Sequence, residues 1–303
     1  MQKSLAELSS ELAGAVERAG RSVVAVNGRE RRTSSGVHWD PGVIITAEHT
    51  LRREDGISVT LPDGRNVPAT VAGRDAGTDL AVLKADCGDL PVAERSPAKP
   101  RPGEIVLAAG RGTETGVVAS MGVISAVSDA WRTWRGGLID AYVRLDLTLY
   151  PGVSGGAVVD AEGRLLGIAS GALSRVAGIA IPLATVERVA GELLTKGHVT
   201  RGYLGVGLQP VELPDHLKSR LKLTGPAALI VLNVEPAGPA DSAGVLVGDI
   251  LVALDGKPVS DTDDVQAVLG ADAVGRTVKA SLVRGGELAE VSIAVRERPR
   301  RGA

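Results

Sequence analysis

Pro151-Gly152-Val153-Ser154-Gly155-Gly156 sets one serine among three glycines. Glycine lets a backbone turn tightly and leaves a hydroxyl exposed at the turn. It also lets neighbouring N–H groups converge on one point, the arrangement that holds an oxyanion. Here those groups belong to Gly152, Val153 and Ser154. Taken alone, the hexapeptide reads equally as a glycine-rich turn without chemistry. A serine hydroxyl is a weak nucleophile unless a base takes its proton, so the reading depends on what else the chain supplies.

The natural base is histidine, which changes charge near neutral pH. There are four: His38, His49, His198 and His216. His198 follows a glycine helix stop, His216 lies in a charged amphipathic stretch, and His38 is expected in a turn beside Trp39. His49 directly follows the apolar run Gly42-Val43-Ile44-Ile45-Thr46, where a strand end would hold an imidazole rigidly. An acid must then fix the ring's tautomer. Asp79 precedes Leu80-Ala81-Val82-Leu83, on the lip of a core strand. Asp75 is the rival and reads more easily as a turn residue. The order His49, Asp79, Ser154 is that of chymotrypsin-like double β-barrels, not of subtilisins or α/β-hydrolases.

The surrounding pattern agrees. A capping box at Ser4 and Glu7 opens a helix whose stripe is Leu5, Leu8, Leu12 and Val16, with Gly20 as its stop. Short apolar strands follow at 22–26, 42–46, 57–61, 67–71 and 80–84, with Pro62-Asp63-Gly64-Arg65 as a hairpin turn. Three prolines make 95–103 a connector. A second block of strands is expected at 104–109, 116–127, 141–147, 156–160, 165–170 and 176–181, then a helix at 183–196 closed by Gly197. The expected organisation is an N-terminal helix at 1–20, a two-barrel unit at 21–198, a mixed unit at 200–298 with helices near 214–221, 239–243 and 262–269, and a frayed tail at 299–303.

Composition narrows the classes further. The chain has 303 residues, 44% of them apolar, no Phe and a net charge of −2. Its length suggests about two cored domains, and near-neutral charge argues against a nucleic-acid binder. The arginines at 296, 298, 300 and 301 read as a solvated end. One cysteine, Cys87, excludes an intrachain disulfide. No apolar run approaches the ~20 residues of a membrane span.

The motifs together resemble those of the HtrA (Deg) serine proteases. Thr46-Ala47-Glu48-His49 is similar to the family's T-N-N-H, Thr78-Asp79-Leu80-Ala81-Val82-Leu83-Lys84 to its T-D-L-A-V-L-K, the stretch from Asp146 to Gly156 to D-A-A-I-N-P-G-N-S-G-G, and Gly178-Ile179-Ala180-Ile181-Pro182 to G-F-A-I-P. Val153 and Tyr150 stand where the family has Asn, and Thr50 where it has Val. In the third unit, Tyr203-Leu204-Gly205-Val206 resembles a PDZ carboxylate-binding loop. Pro239-Ala240, Ala243-Gly244 and Val247-Gly248-Asp249-Ile250 complete the PDZ pattern.

The resemblance implies a mainly β protein: a chymotrypsin-like double barrel followed by a small α+β PDZ domain. It implies an ATP-independent endopeptidase acting on unfolded or damaged proteins, without cofactor or metal. Leu149, Ala172 and Leu173 would line an apolar specificity pocket, and C-terminal peptides would bind the PDZ loop. A homotrimer is the family's usual assembly. Relatives work in the periplasm or cell envelope. Glu7 and Glu11 interrupt the place of a signal peptide's apolar core, so the cytoplasm stays open. The alternative reading is a catalytically silent chaperone or PDZ peptide-binding protein.

Overall fold

The computed structural model describes residues 4–29, 32–223 and 225–298. The expected tail at 299–303 and the first three residues of the expected N-terminal segment lie outside them. The chain divides into two compact units, Met1–Val199 and Thr200–Ala303.

The first unit opens with α1 (Leu5–Gly20). Its capping box is formed: Glu7 N–H donates to Ser4 Oγ at 3.2 Å and Ser4 N–H to Glu7 Oε2 at 2.7 Å, satisfying two otherwise orphan donors of the first turn. Gly20 is the last helical residue, as expected from sequence, and the cap beyond it, Arg21, is right-handed. The glycine is needed for room, since a Cβ there would meet Val117 Cγ2 at 2.7 Å. The apolar stripe divides along its length: Leu12 and Val16 pack on the core beside buried Ala15 and Ala19, while Leu5 is 86% exposed. Arg111 donates to Gly20 O and Val23 O, both at 2.6 Å, placing a cation at the helix C-terminus where the backbone dipole favours it. Burial draws this guanidinium's pKa below the ordinary arginine range.

Strands β1 (Val23–Asn27), β2 (Ser34–Asp40), β3 (Val43–Ala47), β4 (Ser58–Thr60), β5 (Asn66–Asp75) and β6 (Leu80–Ala85) close a barrel in the order β1-β2-β3-β6-β5-β4. His38 corrects the sequence reading: it lies within β2, not in a turn. It is buried, its Nε2 accepts from Gly42 N–H at 3.2 Å, and its Nδ1 sits 3.1 Å from Pro91 O. Those partners give the ring a structural role.

The 95–103 connector makes only an isolated bridge, between Arg95 and Leu165. Then come β7 (Ile105–Gly112), β8 (Gly116–Ser128), a two-stranded ribbon of β9 (Trp131–Arg132) and β10 (Leu138–Ile139), and β11 (Tyr142–Asp146), β12 (Ala157–Val159), β13 (Leu165–Ser170) and β14 (Gly178–Pro182). All but the ribbon close a second barrel in the order β11-β14-β13-β12-β7-β8. Helix α2 (Leu183–Lys196) ends at Gly197, whose φ of +76° suits glycine. Its Val186, Val189 and Leu193 join one buried cluster with Val23, Leu80 and Val82 of the first barrel and Leu107 and Ile168 of the second. The seam between barrels is thus itself a core.

The second unit contains β15 (Gly202–Tyr203), β16 (Val206–Val211), α3 (Asp215–Leu221), β17 (Ala228–Val234), α4 (Pro239–Ser242), β18 (Ile250–Leu254), β19 (Lys257–Pro258), α5 (Thr262–Val268), β20 (Thr277–Arg284), β21 (Glu287–Ala294) and β22 (Arg296–Glu297). The main sheet runs β16-β17-β18-β20-β21, leaving β16 at its edge, and β22 pairs with β15. Arg296 therefore belongs to a strand and donates to Ala237 O at 3.1 Å, which corrects the frayed end expected there. The fold is mainly β with a double barrel, as the family resemblance implies.

Asp249, 2% exposed, is held by both arms of Arg284, at 2.8 and 2.7 Å, and accepts from Leu246 N–H at 2.8 Å. The Arg284 hydrogen bond, aided by the Leu246 amide, holds its carboxyl below the usual aspartate pKa. A depressed folded-state pKa adds stability that is complete above the unfolded value, about pH 4, and lost as pH falls through the folded value. Asp249→Ala is expected to lower the stability of this unit by about 1–3 kcal/mol at neutral pH, with the difference from wild type shrinking below about pH 4. Urea titrations at pH 7 and pH 3 read both.

Candidate active site

His49 sits in the single 3₁₀ turn Glu48–Thr50 that follows β3. Asp79 sits immediately before β6 at φ +59°, a left-handed conformation that aspartate tolerates better than most residues. Because β3 and β6 are paired neighbours, Ala47 opposite Leu80, the two candidate residues leave adjacent strand ends together. The Asp79 carboxylate, 4% exposed, lies 2.8 and 2.9 Å from His49 Nδ1 and accepts from His49 N–H at 3.0 Å. That contact fixes the tautomer: Nδ1 carries the proton and Nε2 is left basic. Asp75, the rival acid, builds the turn instead. It accepts from Thr78 N–H at 3.0 Å and Thr78 Oγ1 at 2.7 Å.

Ser154 comes from the second barrel. Pro151-Gly152 forms a tight turn with Gly152 at φ +96°, closed by Val153 N–H donating to Tyr150 O at 3.0 Å. This corrects one expectation, because the Val153 N–H is spent inside the turn and its side chain is fully buried. Among the described residues, neither Gly152 N–H nor Ser154 N–H has a hydrogen-bond partner. Gly155 has φ +86° and no room for a Cβ against Ser35 O, Thr46 and Ala47.

Two serines that sequence reasoning passed over tie the barrels together here. Ser170, at the end of β13, donates to Asp79 Oδ2 at 2.5 Å, and the next residue, Gly171, donates its N–H to Ser154 Oγ at 3.3 Å. One dipeptide thus touches both the acid and the serine. In the other direction, Ser35 of β2 donates from Oγ to Gly152 O at 2.7 Å and from its N–H to Ser154 O at 3.1 Å. No hydrogen bond joins His49 Nε2 to Ser154 Oγ; the hydroxyl rests on Gly171. A polar residue ending the fully buried run Leu165–Ser170 was the available sequence signal for Ser170.

Leu149 packs over Gly178 and the second-barrel core, whereas Leu173 leans on the seam core and Ala172 is exposed. In the second unit, Tyr203, Leu204, Gly205 and Val206 line a groove of about 210 Å³ between β16 and α5, with Leu208, Val265 and Leu269 as apolar walls. Gly205 has φ +76°, and Leu204 and Gly205 leave their N–H groups unbonded among the described residues. Those residues contain no His/Cys/Asp/Glu cluster suited to a metal, and no helix long and apolar enough to cross a membrane.

The trypsin-like peptidase domain family matches residues 34–168, and the PDZ domain family matches 202–295. A serine endoprotease structure from Yersinia pestis superimposes with a TM-score of 0.76 at 31% identity, covering 99% of this chain and 100% of that one. A structure of the HtrA-type protease AlgW with a tripeptide gives a TM-score of 0.75 at 31% identity, over 95% of this chain and 98% of that one. The chain belongs to the HtrA-type serine proteases. A probable periplasmic serine endoprotease, DegP-like, of Halomonas elongata is 31% identical over 278 residues, 89% of this chain and 58% of that protein. Another of that description from Brucella suis is 30% identical over 90% of this chain and 54% of its own length. The chain thus spans little more than half the length of these curated relatives.

Within this HtrA-type site, Ser170→Ala removes the only side-chain donor among the described residues, other than His49, that meets Asp79. About tenfold loss of kcat/KM is expected, the scale of one charge-assisted hydrogen bond. Steady-state hydrolysis of a fluorogenic peptide measures it.

Proposed function

We propose that the chain is a serine endopeptidase that hydrolyses peptide bonds of unfolded or damaged proteins, with His49, Asp79 and Ser154 as its triad. The observation that carries this reading is the Asp79 carboxylate shared between His49 Nδ1 and Ser170 Oγ, with Ser154 one residue away on Gly171. In the reaction, the Ser154 hydroxyl leaves Gly171 and turns to His49 Nε2, which takes its proton as Oγ attacks the carbonyl. Catalytic hydrogen bonds that are long or absent without substrate commonly tighten in the complex. Gly152 N–H and Ser154 N–H receive the oxyanion. His49 then protonates the leaving amine, and water repeats the sequence on the acyl-enzyme.

The PDZ groove supplies the second half of the reading. An unpaired edge strand accepts an extended peptide as a further strand, and free loop N–H groups receive its carboxylate. Both features select chain termini and extended backbone, which unfolded proteins expose. The apolar residues Leu149, Ala172 and Leu173 favour small or medium aliphatic side chains before the scissile bond. Exposed Leu5 and Leu8 on α1 offer apolar surface to another copy, consistent with a homotrimer. The missing His49–Ser154 hydrogen bond favours one alternative, a silent chaperone or PDZ peptide-binding protein.

Ser154→Ala is expected to lower kcat by about 10⁴-fold or more while the protein stays folded. A fluorophosphonate should label Ser154 in wild type. Casein digestion, labelling and circular dichroism decide it, and unlabelled wild type without hydrolysis would establish the silent reading. In the same digests, dominant cuts after Val, Ala or Leu are expected, and cuts after Lys or Arg would reject the pocket.

A further inference from the structure

The ribbon β9–β10 takes no part in closing either barrel, yet its turn is tightly built. Thr133 is 3% exposed and its N–H donates to Gly137 O at 2.9 Å. Its Oγ1 accepts from Arg135 N–H at 3.3 Å and Gly137 N–H at 3.2 Å. The hydroxyl proton goes elsewhere: it bonds Gly77 O, in the other barrel, at 2.7 Å. Gly137 lies so close to the Gly77 carbonyl and Thr78 N–H that no Cβ fits. Gly77 stands two residues before Asp79, in the turn that Asp75 pins from within its own barrel.

We propose that Thr133 is a positioning residue for the proteolytic reaction: its hydroxyl clamps the 75–79 turn and so fixes the Asp79 carboxylate against His49. The inference rests on the triad reading above. Asp79 enters β6 at a positive φ, which a non-glycine residue keeps only when its neighbours hold it there. Asp75 holds the turn on one side and Thr133 on the other. Without the second contact, the turn relaxes and the carboxylate moves relative to the imidazole. The same ribbon reaches the other side of the pair, where Arg135 Nη1 lies 3.9 Å from Glu48 Oε2, beside His49. A displaced acid lowers the rate of proton transfer without touching the groups that bind substrate.

The test compares full-length Thr133→Val, which keeps the shape, with Thr133→Ser, which keeps the hydroxyl, on a fluorogenic peptide with valine before the scissile bond. Asp79→Ala serves as reference. Thr133→Val is expected to lower kcat roughly 10- to 100-fold, the scale of a small misplacement, with KM within about twofold of wild type. Thr133→Ser is expected to restore kcat, and both variants should melt as cooperatively as wild type. Wild-type kcat in Thr133→Val beside an inactive Asp79→Ala would overturn this inference alone. So would a loss confined to KM, an equal loss in Thr133→Ser, or failure of Thr133→Val to fold, which would make the hydroxyl a stability element. Full activity in Asp79→Ala would remove the triad reading and this inference with it.

Discussion

A carboxylate buried at the edge of a barrel is costly unless donors reach its oxygens. Asp79 meets that demand with the His49 ring, the His49 amide and the Ser170 hydroxyl. Two of these donors come from its own barrel and one from the other. The site therefore exists only when the barrels meet in one register. Packing alone does not dictate that register, because apolar contacts are non-directional, whereas the hydrogen bonds that cross the seam, from Ser170 to Asp79 and from Ser35 to Gly152 O and Ser154 O, do.

The exchange runs both ways. The second barrel sends Ser170 to the acid, and the first sends Ser35 to the backbone on both sides of Val153. Glycines make these approaches feasible. Gly155 presses on Thr46 and Ala47 just before His49, and Gly110 leaves space for Val153. Burial of Val153 then anchors the Ser154 turn from beneath, so that the positive-φ Gly152 turn is held by a core contact. The Ser154 hydroxyl accepts from the Gly171 amide and makes no hydrogen bond to His49.

Much of this was legible from sequence, for physical reasons. His49 and Asp79 flank runs of Val, Ile and Leu whose burial is unmistakable, and Ser154 is embedded in glycines. Strand β2 was harder to see, since Ser34-Ser35-Gly36 has no apolar signature and its neighbours supply the burial. Ser35 and Ser170 act on residues 117 and 91 positions away, and no local pattern encodes such a contact. Gly20 ends its helix as its place after the apolar stripe implies, but the closeness of Val117, which requires a glycine there, has no local signal. The Val153 amide was lost to a turn whose closure only coordinates reveal.

Helix α2 gives the molecule an order of assembly. It is the final regular element of the first unit, and its Val186, Val189 and Leu193 complete a core otherwise made from both barrels. During synthesis Ser154 and its partners leave the ribosome before that helix does. The cleft consequently acquires its mature geometry only when the last turns of the unit dock. A nascent chain that already carries every one of these side chains still lacks the brace that aligns them.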